Sequence, residues 1–294
     1  MISEKDLKKV IEQVLLELGA SGAKETCSIS EEAAEQVQAI EEALPDITAV
    51  DLKKQVLVPQ PENLEGLLKM KETTPARIGV WRAGPRYKTE TLLRFRADHA
   101  VAMDAVFSDV SEEFLQEMNL FPIKTKCRNK DEYLTRPDLG RKFEEEELEV
   151  LRKNCVKKPQ VQIYVSDGLS STAIEANIRD ILPAIQQGLE GYGVKMGTPF
   201  FVKYGRVPAM DVISETLEAE VTCVLIGERP GLATGESMSA YMAYKAEVNM
   251  PEARRTVVSN IHKGGTPAVE AGAHIAHILK LMLDKKASGL DLKL

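Results

Sequence analysis

The chain has 294 residues, enough for one large domain or two modest ones with ample core. Its 38 Lys+Arg against 45 Asp+Glu give a net charge of −7, which leaves no basic footprint for nucleic acid. Cys27, Cys127, Cys155 and Cys223 are scattered without C-x-x-C spacing, no apolar run approaches ~18 residues and no secretory signal is present, so disulfide-framework, zinc and membrane-spanning readings fall away and a soluble intracellular protein is expected.

Residues 1–20 read as a separate helix. Leu7, Val10, Ile11, Val14, Leu15 and Leu18 fall on one helical face, with Ser3 as N-cap and Gly19 as the stop. Such a stripe has to dock: on its own domain, or on another protein as a short recruitment helix. A membrane-surface role fits poorly, because the polar face mixes Glu and Lys and lacks aromatic residues. Residues 21–45 form a linker and an acidic, helix-prone segment. From 46 to 158 the chain reads as a mainly helical region, with a short helix over 61–71, a short strand over 77–81 and a long helix over 89–107. Asp98-His99 on that helix hints at acid/base chemistry, but adjacent helix positions do not face each other, so a surface helix with one buried edge is the simpler reading. Residues 111–154, charged and broken by Pro122 and Pro137, read as helices and loops, and the acidic run 144–147 as a solvated face.

From 159 to 294 the pattern is α/β. A strand over 161–165 leads through Ser166-Asp167-Gly168-Leu169 into a helix over 171–187 capped by Ser170 or Ser171, which opens a βαβ unit. A second strand covers 199–204, and Pro208 sits near the first turn of the next helix. The run Val221-Thr222-Cys223-Val224-Leu225-Ile226 reads as a strand buried on both faces, ending in Gly227-Glu228-Arg229-Pro230-Gly231-Leu232. Residues 237–245 suggest an edge strand and 255–259 a last strand. Thr266 as N-cap and Pro267 at N1 then open a final helix to about residue 286. The expected fold is thus a mostly parallel, Rossmann-like sheet flanked by helices, preceded by a helical N-terminal region.

In a parallel sheet the carboxyl ends of the strands converge on one rim, where open α/β sheets bind ligands. That places the loops 166–169, 205–207, 227–232 and 259–265 on one surface, although a surface turn with an ion pair would explain Glu228-Arg229 equally well on local sequence alone. No G-x-G-x-x-G follows a strand and no P-loop is present. His274 and His277, at i, i+3, lack the i, i+4 spacing and intervening Glu of H-E-x-x-H zinc sites. His262 is a better ligand contact but lacks an evident carboxylate partner. No nucleophile elbow or Cys/His arrangement is identifiable, so the rim is a binding surface without a catalytic constellation.

Five motifs together carry a resemblance: Arg77-Ile-Gly-Val-Trp-Arg-Ala-Gly-Pro-Arg86, Phe95-Arg-Ala-Asp-His-Ala100, Ser166-Asp-Gly-Leu-Ser170, Leu225-Ile-Gly-Glu-Arg-Pro-Gly-Leu232 and Ser259-Asn-Ile-His-Lys-Gly-Gly-Thr-Pro267. With Lys286-Ala-Ser-Gly-Leu290 at the end, the chain resembles the small (light) subunit of ethanolamine ammonia-lyase, densely over 75–294. That resemblance implies a lyase that converts ethanolamine to acetaldehyde and ammonia by a radical route started from adenosylcobalamin. A large TIM-barrel subunit would bind the substrate, and the small subunit would hold the cobalamin against it, so activity needs the hetero-oligomer. The family's cobalamin contacts carry over to Val207, Glu228 and Val257; the last position is a Cys in some relatives. Glu228 can accept bonds from corrin amides or a nucleotide-loop hydroxyl, while Val207 and Val257 offer backbone or apolar contact. The D-x-H-x-x-G signature of proteins that ligate cobalt through histidine is absent, which leaves the cofactor's own benzimidazole on cobalt. The helix over 1–20 is similar to extensions that direct enzymes into bacterial microcompartments, where it would bind shell or cargo. The competing reading is a free-standing α/β ligand-binding module without lyase activity.

Overall fold

A computed structural model describes residues 47–293, and residues 51–294 form one compact unit. The helix expected over 1–20 and the segment 21–45 lie outside the described residues. The fold is α/β, as expected: eight α-helices among the described residues and a six-stranded sheet of order β3-β5-β4-β6-β7-β8. Its strands are β3 Phe121–Lys124, β4 Val161–Ser166, β5 Phe200–Lys203, β6 Val221–Gly227, β7 Met238–Tyr244 and β8 Thr256–Ile261. The pairings β3–β5, β5–β4 and β4–β6 are parallel, whereas β6–β7 and β7–β8 are antiparallel. Two reversals return β8 to the direction of β6, so its carboxyl end is on the common rim.

All seven positions of β6 and all six of β4 are buried, the signature of strands covered on both faces. One face carries α6 (Ser171–Gly191) and α8 (Ala268–Lys285), whose Ile174, Ile178, Ile181, Ile185, Ile275 and Leu279 join Ile163, Cys223 and Leu225 in one core. The other face carries α5 (Glu145–Asn154) and α7 (Ala209–Leu217), packing Leu151, Met210 and Ile213 on Tyr164, Phe200 and Val224. Before the sheet come α1 (Leu64–Glu72), the two-stranded ribbon β1 (Arg82–Ala83) and β2 (Arg86–Tyr87), α2 (Thr89–Phe107) and α3 (Glu112–Glu117); α4 (Lys130–Thr135) follows β3.

Several local expectations are corrected. Residues 121–124, within a stretch read as helices and loops, form an edge strand; Pro122 is tolerated because the edge asks for no amide donor on its open side. Residues 237–245, read as an edge strand, lie inside the sheet and pair on both sides, leaving β8 at the edge. The strand expected over 77–81 is absent, since Gly79 adopts φ +74° and the pairing shifts to the ribbon around Gly84-Pro85. At α8 the N-cap is Pro267 rather than Thr266, one residue later than expected, and it supplies no side-chain cap. At α6 the cap is Ser170, whose Oγ accepts from the Ala173 amide at 3.1 Å.

Candidate functional site

The chain passes from β4 through α6 to β5 on one side, then through α7 to β6 on the other side of β4. The loop after β4 leads into α6 on one face of the sheet and the loop after the adjacent β5 leads into α7 on the other, so these two diverge and open a crevice at the carboxyl ends of neighbouring strands. A cleft of about 350 Å³ lies there. Gly168 and Leu169 line it from the β4 turn, Arg206 and Val207 from the end of β5, Gly227, Glu228 and Arg229 from the end of β6, Tyr241 from β7 and Tyr133 from α4. Three of the four expected rim loops thus converge; the loop 259–265 does not line the cleft, because β7 stands between β8 and β6. The floor is backbone on backbone. Leu169 N donates to Gly227 O at 3.0 Å, and a Cβ on Gly227 would run into the carbonyl oxygens of Asp167 and Ser170.

Glu228 continues β6 by one residue, its amide donating to Ser237 O at 3.0 Å. Its side chain lies half-buried over β7, where Ser237 Oγ donates to Oε2 at 3.0 Å and Ser239 Oγ donates to Oε1. Tyr241 faces the same carboxylate; burial first, then the negative charges of Glu228 and Glu252, push its phenol above the usual range. Val207 is half-buried in the cleft wall. Val257 sits on β8 directly opposite Tyr241 in the antiparallel register and is 48% exposed. Directly opposite residues share a face, so Val257 extends the Tyr241 wall of the cleft onto the open edge strand. The three residues that the family resemblance singles out therefore fall on one continuous surface.

Behind the other wall sits a buried polar cluster. Tyr133 and Tyr204 stack at 5.8 Å, the Arg206 guanidinium lies 4.2 Å from the Tyr133 ring centroid, and Arg206 Nη2 donates to Tyr133 O at 2.9 Å. Asp167, at the end of β4, accepts from Tyr204 N at 2.8 Å, and its Oδ2 faces Lys130 Nζ at 3.6 Å. Neither of those two ion-pair atoms has a hydrogen-bond partner. Burial pushes the Asp167 carboxyl up to about 6, outweighing the opposing pull of Lys130 and the Tyr204 amide. A carboxyl raised in the fold contributes stability that is full below its unfolded value of 3.8 and lost as pH rises through about 6. Wild type should accordingly lose roughly 2–3 kcal/mol more stability than Asp167→Asn between about pH 4 and 7. Urea midpoints measured across that window check this; parallel pH profiles for the two proteins would refute it.

The comparisons with known proteins follow this geometry. The family model described as "Ethanolamine ammonia-lyase light chain (EutC)" matches residues 64–293. The ethanolamine ammonia-lyase small subunit of Clostridium tetani is 65% identical over 298 residues, covering 100% of both chains. That of Listeria monocytogenes strain EGD-e is 59% identical over 293 residues, covering 99% of this chain and 100% of the relative. The chain belongs to the ethanolamine ammonia-lyase light-chain family.

The other polar candidates stay apart from the light-chain rim. Asp98 is buried and accepts from Arg94 Nε at 3.1 Å and from Arg77, whereas His99 points to solvent, so the two do not work as a pair. Arg77 also donates to Leu232 O, which fastens α2 to the loop after β6. His277 Nδ1 meets the Tyr192 hydroxyl at 3.2 Å. In the loop after β8, His262 Nδ1 accepts from Gly264 N at 3.1 Å, which leaves Nε2 to donate to Asn260 Oδ1 at 2.9 Å. Sequence reasoning missed Tyr133, Tyr241, Ser237 and Ser239. Only the serines carried a signal: two hydroxyls at i, i+2 fall on one face of a strand, beside a carboxylate that follows the neighbouring strand.

Proposed function

We propose that this chain is the cobalamin-holding small subunit of an adenosylcobalamin-dependent ethanolamine ammonia-lyase, acting on ethanolamine only together with a large catalytic subunit. Similarity along the whole chain to small subunits supports the subunit role. What carries the cofactor half is the Glu228 carboxylate, held on the rim beside a cleft with an all-backbone floor. The residues present fit a cobalamin. Each Glu228 oxygen accepts one serine hydroxyl and keeps acceptor capacity for a side-chain amide or hydroxyl of the ligand. Val207, Leu169 and Val257 offer apolar contact, and the glycine floor lets a large ligand approach the main chain. When bound, adenosylcobalamin supplies the radical that starts the reaction. This chain's part is to bind, orient and exclude water.

A cleft of about 350 Å³ is at the small end of ligand sites, so much of a corrin's surface is left for a second chain to cover. The outer face of α2 supports such a partner, since Leu92, Leu93, Val101, Met103 and Phe107 are all exposed on one helix. Apolar surface of that kind marks obligate interfaces. Among the described residues no helix is long and apolar enough to cross a membrane.

The test is ethanolamine deamination with adenosylcobalamin by this chain, by the large subunit and by the two mixed. Activity in the mixture alone is expected, and Glu228→Ala should raise the cobalamin Kd of the complex by about 10–100-fold, the loss of one or two hydrogen bonds to a charged group. A mixture of folded chains without activity would return the reading to a free-standing binding module. We further propose that residues 1–20 direct the complex into a bacterial microcompartment, on the strength of the 7/10/11/14/15/18 stripe. Deleting them should leave deamination intact and abolish encapsulation in cells; unchanged encapsulation would sink the idea.

A further inference from the structure

We infer that Ser237 and Ser239 are positioning residues that hold the Glu228 carboxylate aimed into the cleft as a fixed acceptor. The inference rests on the cobalamin reading above and deepens it. Glu228 directly follows the last residue of β6 and opens the loop 228–237, a place where a glutamate side chain would otherwise sample several rotamers and lose that freedom on binding. Instead both of its oxygens are used on the protein side. Ser237 Oγ donates to Oε2 at 3.0 Å, Ser239 Oγ donates to Oε1, and the backbone bond from Glu228 N to Ser237 O closes the ring.

The two hydroxyls have different anchorage. Ser239 is fully buried within β7, paired in register with Ile226, so its Oγ is fixed by the sheet itself. Ser237 is half-buried at the mouth of the loop. A buried hydroxyl needs a partner, and the carboxylate is the one Ser239 has, so the bond is mutual: the serine orients the glutamate and the glutamate satisfies the serine. Charge-assisted bonds of this type are the stronger class. A carboxylate offers acceptors only. The chemical consequence is a selection rule at this point of the cleft. A ligand group that meets Glu228 must bring an N–H or O–H donor, such as a carboxamide, whereas a ligand carboxylate or phosphate is repelled.

The experiment is a double-mutant cycle read as the Kd of cyanocobalamin for the complex of this chain with its large subunit, followed by the ligand's visible absorption. Ser239→Ala and Ser237→Ala should each weaken binding about 5–10-fold when Glu228 is present and less than about twofold in a Glu228→Ala background. Ser237→Thr, which keeps the hydroxyl, should retain wild-type binding. A serine acting only on the fold would instead cost the same factor in both backgrounds, and that result, or no effect in the wild-type background, overturns the inference while leaving the cobalamin reading in place. Should the wild-type complex not bind cyanocobalamin, or Glu228→Ala leave its Kd unchanged, the cobalamin reading at Glu228 fails and the inference falls with it. If Ser239→Ala does not fold, the Ser237→Ala and Ser237→Thr arms decide the question alone.

Discussion

Asp211→Ala should cost about 3–5 kcal/mol of stability, lowering the melting temperature by roughly 10 °C. Both carboxylate oxygens of Asp211 accept from Arg255 Nη2 at 2.7 Å, and the two side chains are 4% and 2% exposed. Removing the acid strands a buried guanidinium. Its remaining partners are Met250 O at 3.2 Å and the exposed Glu252 carboxylate at 2.9 Å, while its Nε has none. The double replacement Asp211→Leu with Arg255→Met should recover most of the loss, because an apolar pair carries no desolvation cost. The pair also has a place in the site. Asp211 lies in the first turn of α7, four residues after Val207, and Arg255 immediately precedes β8, two residues before Val257. It therefore ties one bank of the candidate cobalamin surface to the other. Thermal melts of the three proteins test the energetics; a melting point for Asp211→Ala within 2–3 °C of wild type would mean the pair contributes under about 1 kcal/mol.

The legibility of this molecule in its sequence follows the range of the interactions involved. β4 and β6 were readable because a strand buried on both faces is apolar at nearly every position, whatever lies beside it. The rim followed from them, since carboxyl ends of parallel strands must coincide. The neighbours of β7 were not readable in the same way. Met238–Tyr244 alternates loosely because Tyr241 opens onto the cleft, and only its pairing with both β6 and β8 makes it an interior strand. β3 has four residues and a proline, too short for periodicity to speak; its strand character comes from the Phe121–Phe200 register and stacking at 5.5 Å. Tyr133 reaches the cleft from a helix more than seventy residues before Gly205, whose carbonyl its hydroxyl meets at 3.2 Å. No local pattern encodes such a contact. The corrections within the sheet thus concern pairing partners and long-range packing, while the elements carrying Val207, Glu228 and Val257 fall within a residue or two of where the pattern puts them.

Gly227→Ala should be as damaging as the loss of the buried ion pair, for a reason that involves no charge. Gly227 does not occupy the left-handed region, so backbone preference is not the issue; space is. An added methyl would overlap the carbonyl oxygens of Ser170 and Asp167, and main-chain atoms in a tight turn cannot swing aside as a flexible side chain can. Overpacking of this kind costs about 1–3 kcal/mol where side chains yield, and here the upper end or more is expected because the β4 turn itself has to move. Moving it breaks the bond from Leu169 N to Gly227 O and displaces Gly168 and Leu169, the part of the cleft opposite Glu228. Cobalamin binding by the complex should therefore weaken together with the melting temperature. Gly231→Ala is the matched control, since its added Cβ would come no closer than 4.0 Å to a neighbouring atom although it stands in the same loop. If Gly231→Ala and Gly227→Ala melt alike and bind cyanocobalamin alike, the floor of the cleft has more room than these contacts allow. If only Gly227→Ala fails, the glycine at the end of β6 is there because two strands' backbones must touch for a large ligand to lie across them.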